Sequence, residues 1–130
     1  MSTNSAIAVK TSAGYKTIYC HNDGYFSYMY PVLSDYYPTQ ERAEALVGFG
    51  DASFIDKLLY PAIGSNHSFD HPDRDTSIFY HRDRGEPWHE NATRLLSREE
   101  ALKWQYYVYI FEDDQWKAYV GGQEVADYTY

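Results

Sequence analysis

The side chains best suited to chemistry crowd into two short runs. In Phe79-Tyr80-His81-Arg82-Asp83-Arg84-Gly85-Glu86, two arginines stand two residues apart behind a tyrosine and a histidine. Thr76 to His81 reads as a strand, and in an extended stretch positions 80, 82 and 84 share one face. Two guanidinium forks on one face suit a phosphate or a carboxylate, because each offers paired donors. Tyr80 on that face would offer a ring for a base to stack on. The same residues also fit a plainer arrangement, an alternating-charge edge strand in which Asp83 and Glu86 neutralise the arginines. The second run is Tyr19-Cys20-His21-Asn22-Asp23-Gly24-Tyr25. It ends a strand in turn chemistry, with Asn22 or Asp23 bonding its own backbone and Gly24 at positive φ. Cys20 and His21, adjacent on a strand, point to opposite faces, which argues against a thiol–imidazole nucleophile. The expected ligand contacts are Tyr80, His81, Arg82, Arg84, His21, Asp23 and Tyr25, with no catalytic set and no cofactor.

A third cluster, His67-Ser68-Phe69-Asp70-His71-Pro72-Asp73, has histidines at i and i+4 among carboxylates. On a helix that spacing would converge on a divalent ion, but Pro72 disfavours helical geometry at His71. A polar surface loop is the expectation, and no metal site is assigned. Trp88, Trp104 and Trp116, with Tyr106, Tyr107 and Tyr109, read first as core and sheet-face residues and second as a binding platform. Phosphate-cradling, serine-hydrolase, zinc-protease and EF-hand motifs are absent from the sequence.

Ile18-Tyr19-Cys20-His21-Asn22-Asp23-Gly24-Tyr25 and Phe79-Tyr80-His81-Arg82-Asp83-Arg84-Gly85-Glu86 together resemble the paired signatures of small bacteriophage proteins. In such proteins a helical stretch between the signatures ends in a Leu-x-x-Gly-Asp-like turn. Here that place holds Leu46-Val47-Gly48-Phe49-Gly50-Asp51. The resemblance covers about residues 15–90. The chain departs from the pattern after Asp23-Gly24-Tyr25, where Phe26-Ser27 replaces a proline and an acidic residue. The resemblance implies a phage origin, a place in the host cytoplasm and a role in early takeover of the host or in countering its defence. Some phage proteins of this size sequester nucleotide immune signals, and others inhibit CRISPR effectors. It carries no functional residues over. The expected function is non-catalytic sequestration of a small phosphorylated, nucleotide-type signal. The alternative is an acidic, aromatic-rich inhibitor of a host defence protein.

Composition sets limits on these readings. The chain has 130 residues, 11 Lys plus Arg and 19 Asp plus Glu, a formal net charge of −8. Nonspecific nucleic-acid binding needs a basic face, and an anionic membrane surface would repel this chain. No apolar run approaches a membrane span. The 15 tyrosines and 18% aromatics exclude a disordered acidic tail. Residues 66–100 hold five of the basic groups, all arginines, and four of the five histidines. One cysteine excludes an internal disulfide framework. The length fits a single domain over residues 1–130 that buries about two-thirds of its surface. Assembly into a homo-oligomer stays open, since a small domain can build a pocket at a symmetric interface.

The elements that must position these residues follow from periodicity. Ile7 to Thr11 and Tyr15 to Cys20 predict a hairpin around Ser12-Ala13-Gly14. Tyr25 to Tyr37 is aromatic but irregular, with Pro31 demoting any strand there. Thr39 as N-cap, then Ala43, Leu46 and Val47, predicts a helix stopped by Gly48 and Gly50. Ser53 to Leu59 fits a second short helix, and residues 61–76 and 82–91 read as loops. Ser97 and Glu100 form a capping box opening a third helix. Tyr106 to Phe111 and Trp116 to Val120 predict a second hairpin, and Gln123 to Tyr130 an edge strand or tail. The order β-β-α-α-β-α-β-β predicts an α+β fold, a mostly antiparallel sheet with helices on one face.

Overall fold

Both predicted hairpins are present in the computed structural model, which describes residues 2–129 and so leaves Met1 and Tyr130 aside. Strands β1 (Ser5–Thr11) and β2 (Gly14–Cys20) pair antiparallel, with Thr11 opposite Gly14. Strands β6 (Tyr107–Glu112) and β7 (Gln115–Val120) are joined by Asp113 and Asp114. Both of those residues have positive φ, 55° and 61°, as a two-residue hairpin turn demands. A two-residue strand β8 (Gln123–Glu124) pairs with β7.

Between the hairpins the chain departs from expectation. Phe26–Tyr36 forms helix α1, with Pro31 inside it. Met29, Val32 and Leu33 fall at helical spacing and bury against the sheet. That apolar stripe outweighs the one backbone bond that Pro31 forfeits. Helix α2 (Gln40–Val47) is as expected, with Thr39 Oγ1 accepting from Arg42 N at 3.1 Å. Ser53 to Leu59 does not form a helix. Ala52–Phe54 is strand β3, because its backbone finds partners in β2 and in β4 (Ile78–Phe79). Short helices α3 (Tyr80–Arg84) and α4 (Trp88–Asn91) replace the expected strand end and loop. Strand β5 (Arg94–Leu96) pairs with the first half of β2. Helix α5 (Arg98–Trp104) carries the full reciprocal capping box between Ser97 and Glu100.

The fold is α+β, but its sheet is mixed rather than mostly antiparallel. The order is β4-β3-β2-β1-β6-β7-β8, with β5 beside β2. The central β1–β6 join and the β2–β3 join are parallel. Helices α1 and α2 carry the chain from the end of β2 back to its edge, and a helical crossover returns the next strand in the same direction. Helices also cover both faces. Ile7, Val9 and Ile18 face α1 and α2, while Ala6, Ala8 and Tyr15 lie under Ala101 of α5. Burial on both sides explains why Ala6-Ile7-Ala8-Val9 is an unbroken apolar run. Buried tyrosines and tryptophans turn their polar tips to backbone carbonyls. Tyr109 donates to Gly24 O at 2.8 Å and Trp116 Nε1 to Tyr37 O at 2.7 Å.

Candidate binding site

The arginine run is built by one turn of helix. Strand β4 ends at Phe79 because Asp83 folds back and accepts from Phe79 N at 2.8 Å. Gly85 closes the turn in the left-handed region, φ 78°, with its N–H on His81 O. At 3.6 residues per turn, positions 82 and 84 point to opposite sides, so the shared face expected of a strand does not exist. Arg82 turns inward, 4.9 Å from the Phe49 and Phe79 ring centres. Its Nε donates to Asp83 Oδ1 at 2.8 Å, Nη1 to Leu59 O at 2.6 Å and Nη2 to Ser77 O at 2.9 Å. Each nitrogen of the fork thus has a partner, which leaves no edge of it for a phosphate. Arg84 points outward over the Phe69 ring at 4.5 Å, with Glu86 at 3.4 Å. His81 is exposed, with Nδ1 2.8 Å from Glu86 O and its ring edge-on to Trp88.

The turn at residues 21–24 differs from expectation in two details: the Asn22 amide donates across to Ser53 O at 2.9 Å rather than to its own backbone, and the positive φ is displaced. Positive φ falls on Asp23, at 56°, and not on Gly24. Gly24 is required for close approach instead, since a Cβ there would sit 2.6 Å from Ser5 Cβ. The Cys20 thiol is wholly buried and burial pushes it up to about 12, so the thiolate a nucleophile needs does not form near neutrality. Tyr25 stands exposed beside Tyr28.

The two runs do meet, through the sheet rather than through the arginines. Cys20 pairs with Ala52 and Ala52 with Phe79, and Asp51, just before β3, accepts from Tyr19 N through its side chain and from Tyr80 N through its carbonyl. Tyr19 Oη lies 2.8 Å from His21 Nδ1. Burial, with Tyr80 adding to it, raises the Tyr19 hydroxyl above its ordinary range. Of the expected contacts, His21 lies against Tyr19 and Tyr80 N bonds Asp51 O, while Arg82 turns inward to Leu59 O and Tyr25 stands beside Tyr28. Sequence reasoning missed the centre of this arrangement. Asp51 is buried, accepts from Tyr19 N at 2.9 Å and takes Arg94 in a two-pronged pair at 2.7 and 2.9 Å. Arg94 in turn stacks on Trp104 at 4.5 Å. Nothing local to Asp51 or Arg94 marks them as partners 43 residues apart.

The loop histidines do not converge. His67 is buried at its side chain, with Nδ1 accepting from Asp73 N at 2.8 Å and Nε2 3.3 Å from Asp83 Oδ2, while His71 is exposed. Among the described residues no three His, Cys, Asp or Glu side chains are placed to hold a metal ion. None of the described helices is long and apolar enough to cross a membrane.

The disposition of charge is the most general property of the surface. Eight of the 11 Lys and Arg side chains lie within 4.0 Å of a carboxylate. Among exposed residues, 11 are Asp or Glu and five are Lys or Arg. In comparisons with known proteins, no family model, curated protein or solved structure matches the chain.

Proposed function

We propose that this protein is a non-catalytic binding protein that engages a basic surface of a protein partner with its carboxylates and exposed aromatic rings. The observation that carries the reading is the commitment of its cations. Arg82, Arg94 and Arg98 each pair with a buried carboxylate, and Arg42, the other guanidinium that is not exposed, is turned to Tyr36 O and the Tyr37 ring. Carboxylates face solvent in more than twofold excess over cations, and Tyr25, Tyr36, Tyr60, Trp88 and Tyr106 are exposed beside them. Such a surface steers a basic partner and supplies aromatic contacts once it docks. On the resemblance to phage proteins, the partner is a host defence protein and the surface a mimic of nucleic acid. Affinity purification from host lysate tests this. The expected result is one stoichiometric partner that rebinds when purified and weakens steeply between about 50 and 300 mM salt. Salt-insensitive recovery, or no partner at all, overturns it.

A second reading rests on Arg84. Its single carboxylate contact is 3.4 Å long, it is half-exposed, and it lies over Phe69, itself 5.6 Å from the Tyr80 ring. A phosphorylated, nucleotide-type ligand could displace Glu86 there and stack on an adjacent ring. Calorimetry against cyclic and ADP-ribose-type nucleotides separates the two: heat at micromolar concentration that is lost in Arg84→Ala favours the ligand.

A further inference from the structure

Residues 55–77 link β3 to β4 without regular structure, and this loop is unusual in what it exposes. Among the described residues, three of the eight exposed large apolar side chains fall within a six-residue stretch of this loop: Leu58 at 51%, Tyr60 at 56% and Ile63 at 106%. Connecting segments normally carry polar groups outward. Ile63, as open as in an extended chain, contributes nothing to the core of its own protein.

The base of the loop is fastened as firmly as its tip is bare. Leu58 N donates to Asp75 O and Ser77 N to Leu58 O, both at 2.8 Å, so the two limbs are clamped together. Arg82 Nη1 holds Leu59 O at 2.6 Å, and Leu59 is buried between the limbs and the sheet. The Tyr60 ring meets Phe49 edge-on at 5.8 Å, and Pro61 fixes φ at the next position. The tip is thus pre-ordered, and an ordered apolar projection loses little conformational freedom when it docks.

We infer that the tip from Leu58 to Ile63 is the anchor by which this protein seats in an apolar pocket of its partner, a pocket rimmed by basic groups. The inference rests on the function proposed above and assigns the contact that function requires. Charge selects the occupant. Asp75 is exposed and bonded through its carbonyl to Leu58, Asp70 is exposed on the same loop, which also carries exposed Lys57 and Arg74, and over the described surface exposed carboxylates outnumber exposed cations 11 to five. A second copy of this chain carries −8 and is repelled, as is an anionic bilayer. A basic protein surface is attracted, and apolar anchors at the centre of a charged rim are the usual arrangement of binding energy.

The test places a photo-crosslinking residue at position 63 and, as control, at exposed Ser12 in the β1–β2 turn, far along the sheet from the loop. The expected result is one protein crosslinked from position 63 and not from 12. Purified and titrated back, that protein should bind Ile63→Asp at least tenfold more weakly, with circular dichroism and melting unchanged. Undiminished binding by Ile63→Asp overturns the inference while leaving the proposed function standing. Crosslinking to a second copy of this chain, or equal yields from both positions, also overturns it. A lysate in which no partner is captured from either position, nor by affinity purification, overturns the proposed function and this inference together.

Discussion

Replacing Arg82 by alanine tests the claim that this arginine is a strut and not a ligand fork. The substitution leaves the Asp83 carboxylate, 4% exposed at its side chain, with a buried charge no longer paired to a guanidinium. It also removes donors from Leu59 O and Ser77 O, and takes a planar group from between Phe49 and Phe79. Breaking a buried pair from one side costs about 3–5 kcal/mol. Against a total stability of about 5–15 kcal/mol, that is a large share. For a chain of this length it corresponds to a fall in melting temperature of about 10–20 °C. Arg84→Ala is the internal control. Its side chain is 54% exposed and pairs at 3.4 Å, so the loss should stay below about 1 kcal/mol. Urea denaturation followed by tryptophan fluorescence reads both variants. The reasoning is refuted if the two substitutions cost the same, or if Arg82→Ala retains the wild-type midpoint.

Two other perturbations follow from the structure. Glu112 is buried and accepts from Arg98 at 2.8 Å and from Tyr15 at 2.7 Å, and these donors pull its carboxyl down to about 2. A carboxyl depressed on folding stabilises the protein above its unfolded value, and that contribution disappears as pH falls from about 4.5 towards 2. The difference in unfolding free energy between wild type and Glu112→Gln, read by urea denaturation, should therefore be largest at pH 5–7, about 2–3 kcal/mol, and shrink by pH 2.5. A difference that does not vary with pH refutes the assignment. Gly24→Ala should cost about 1–3 kcal/mol, because its Cβ would fall 2.6 Å from Ser5 Cβ and 2.9 Å from Thr3 O. A calorimetric melt unchanged by this substitution refutes the close approach.

Local chemistry alone determined much of this protein. The pairing of β1 with β2 follows from alternating residues on either side of Ser12-Ala13-Gly14, and the Asp113-Asp114 turn from its place between two aromatic strands. Thr39 and Ser97 cap their helices through side chains that reach backbone three residues on, so a short window contains the whole cause. The acidic balance, a formal net charge of −8, is likewise additive over residues. Tertiary structure decided what required distant partners. Pro31 sits in a helix because the sheet rewards the stripe of Met29, Val32 and Leu33. Residues 80–84 coil because Asp83 caps Phe79, and Arg82 then turns inward to carbonyls at positions 59 and 77. Asp51 finds Arg94 only once β2, β3 and β5 lie side by side. Whether a charged fork meets solvent or a carboxylate depends on which segments the sheet brings together, and that contact energy is written in no single stretch of chain.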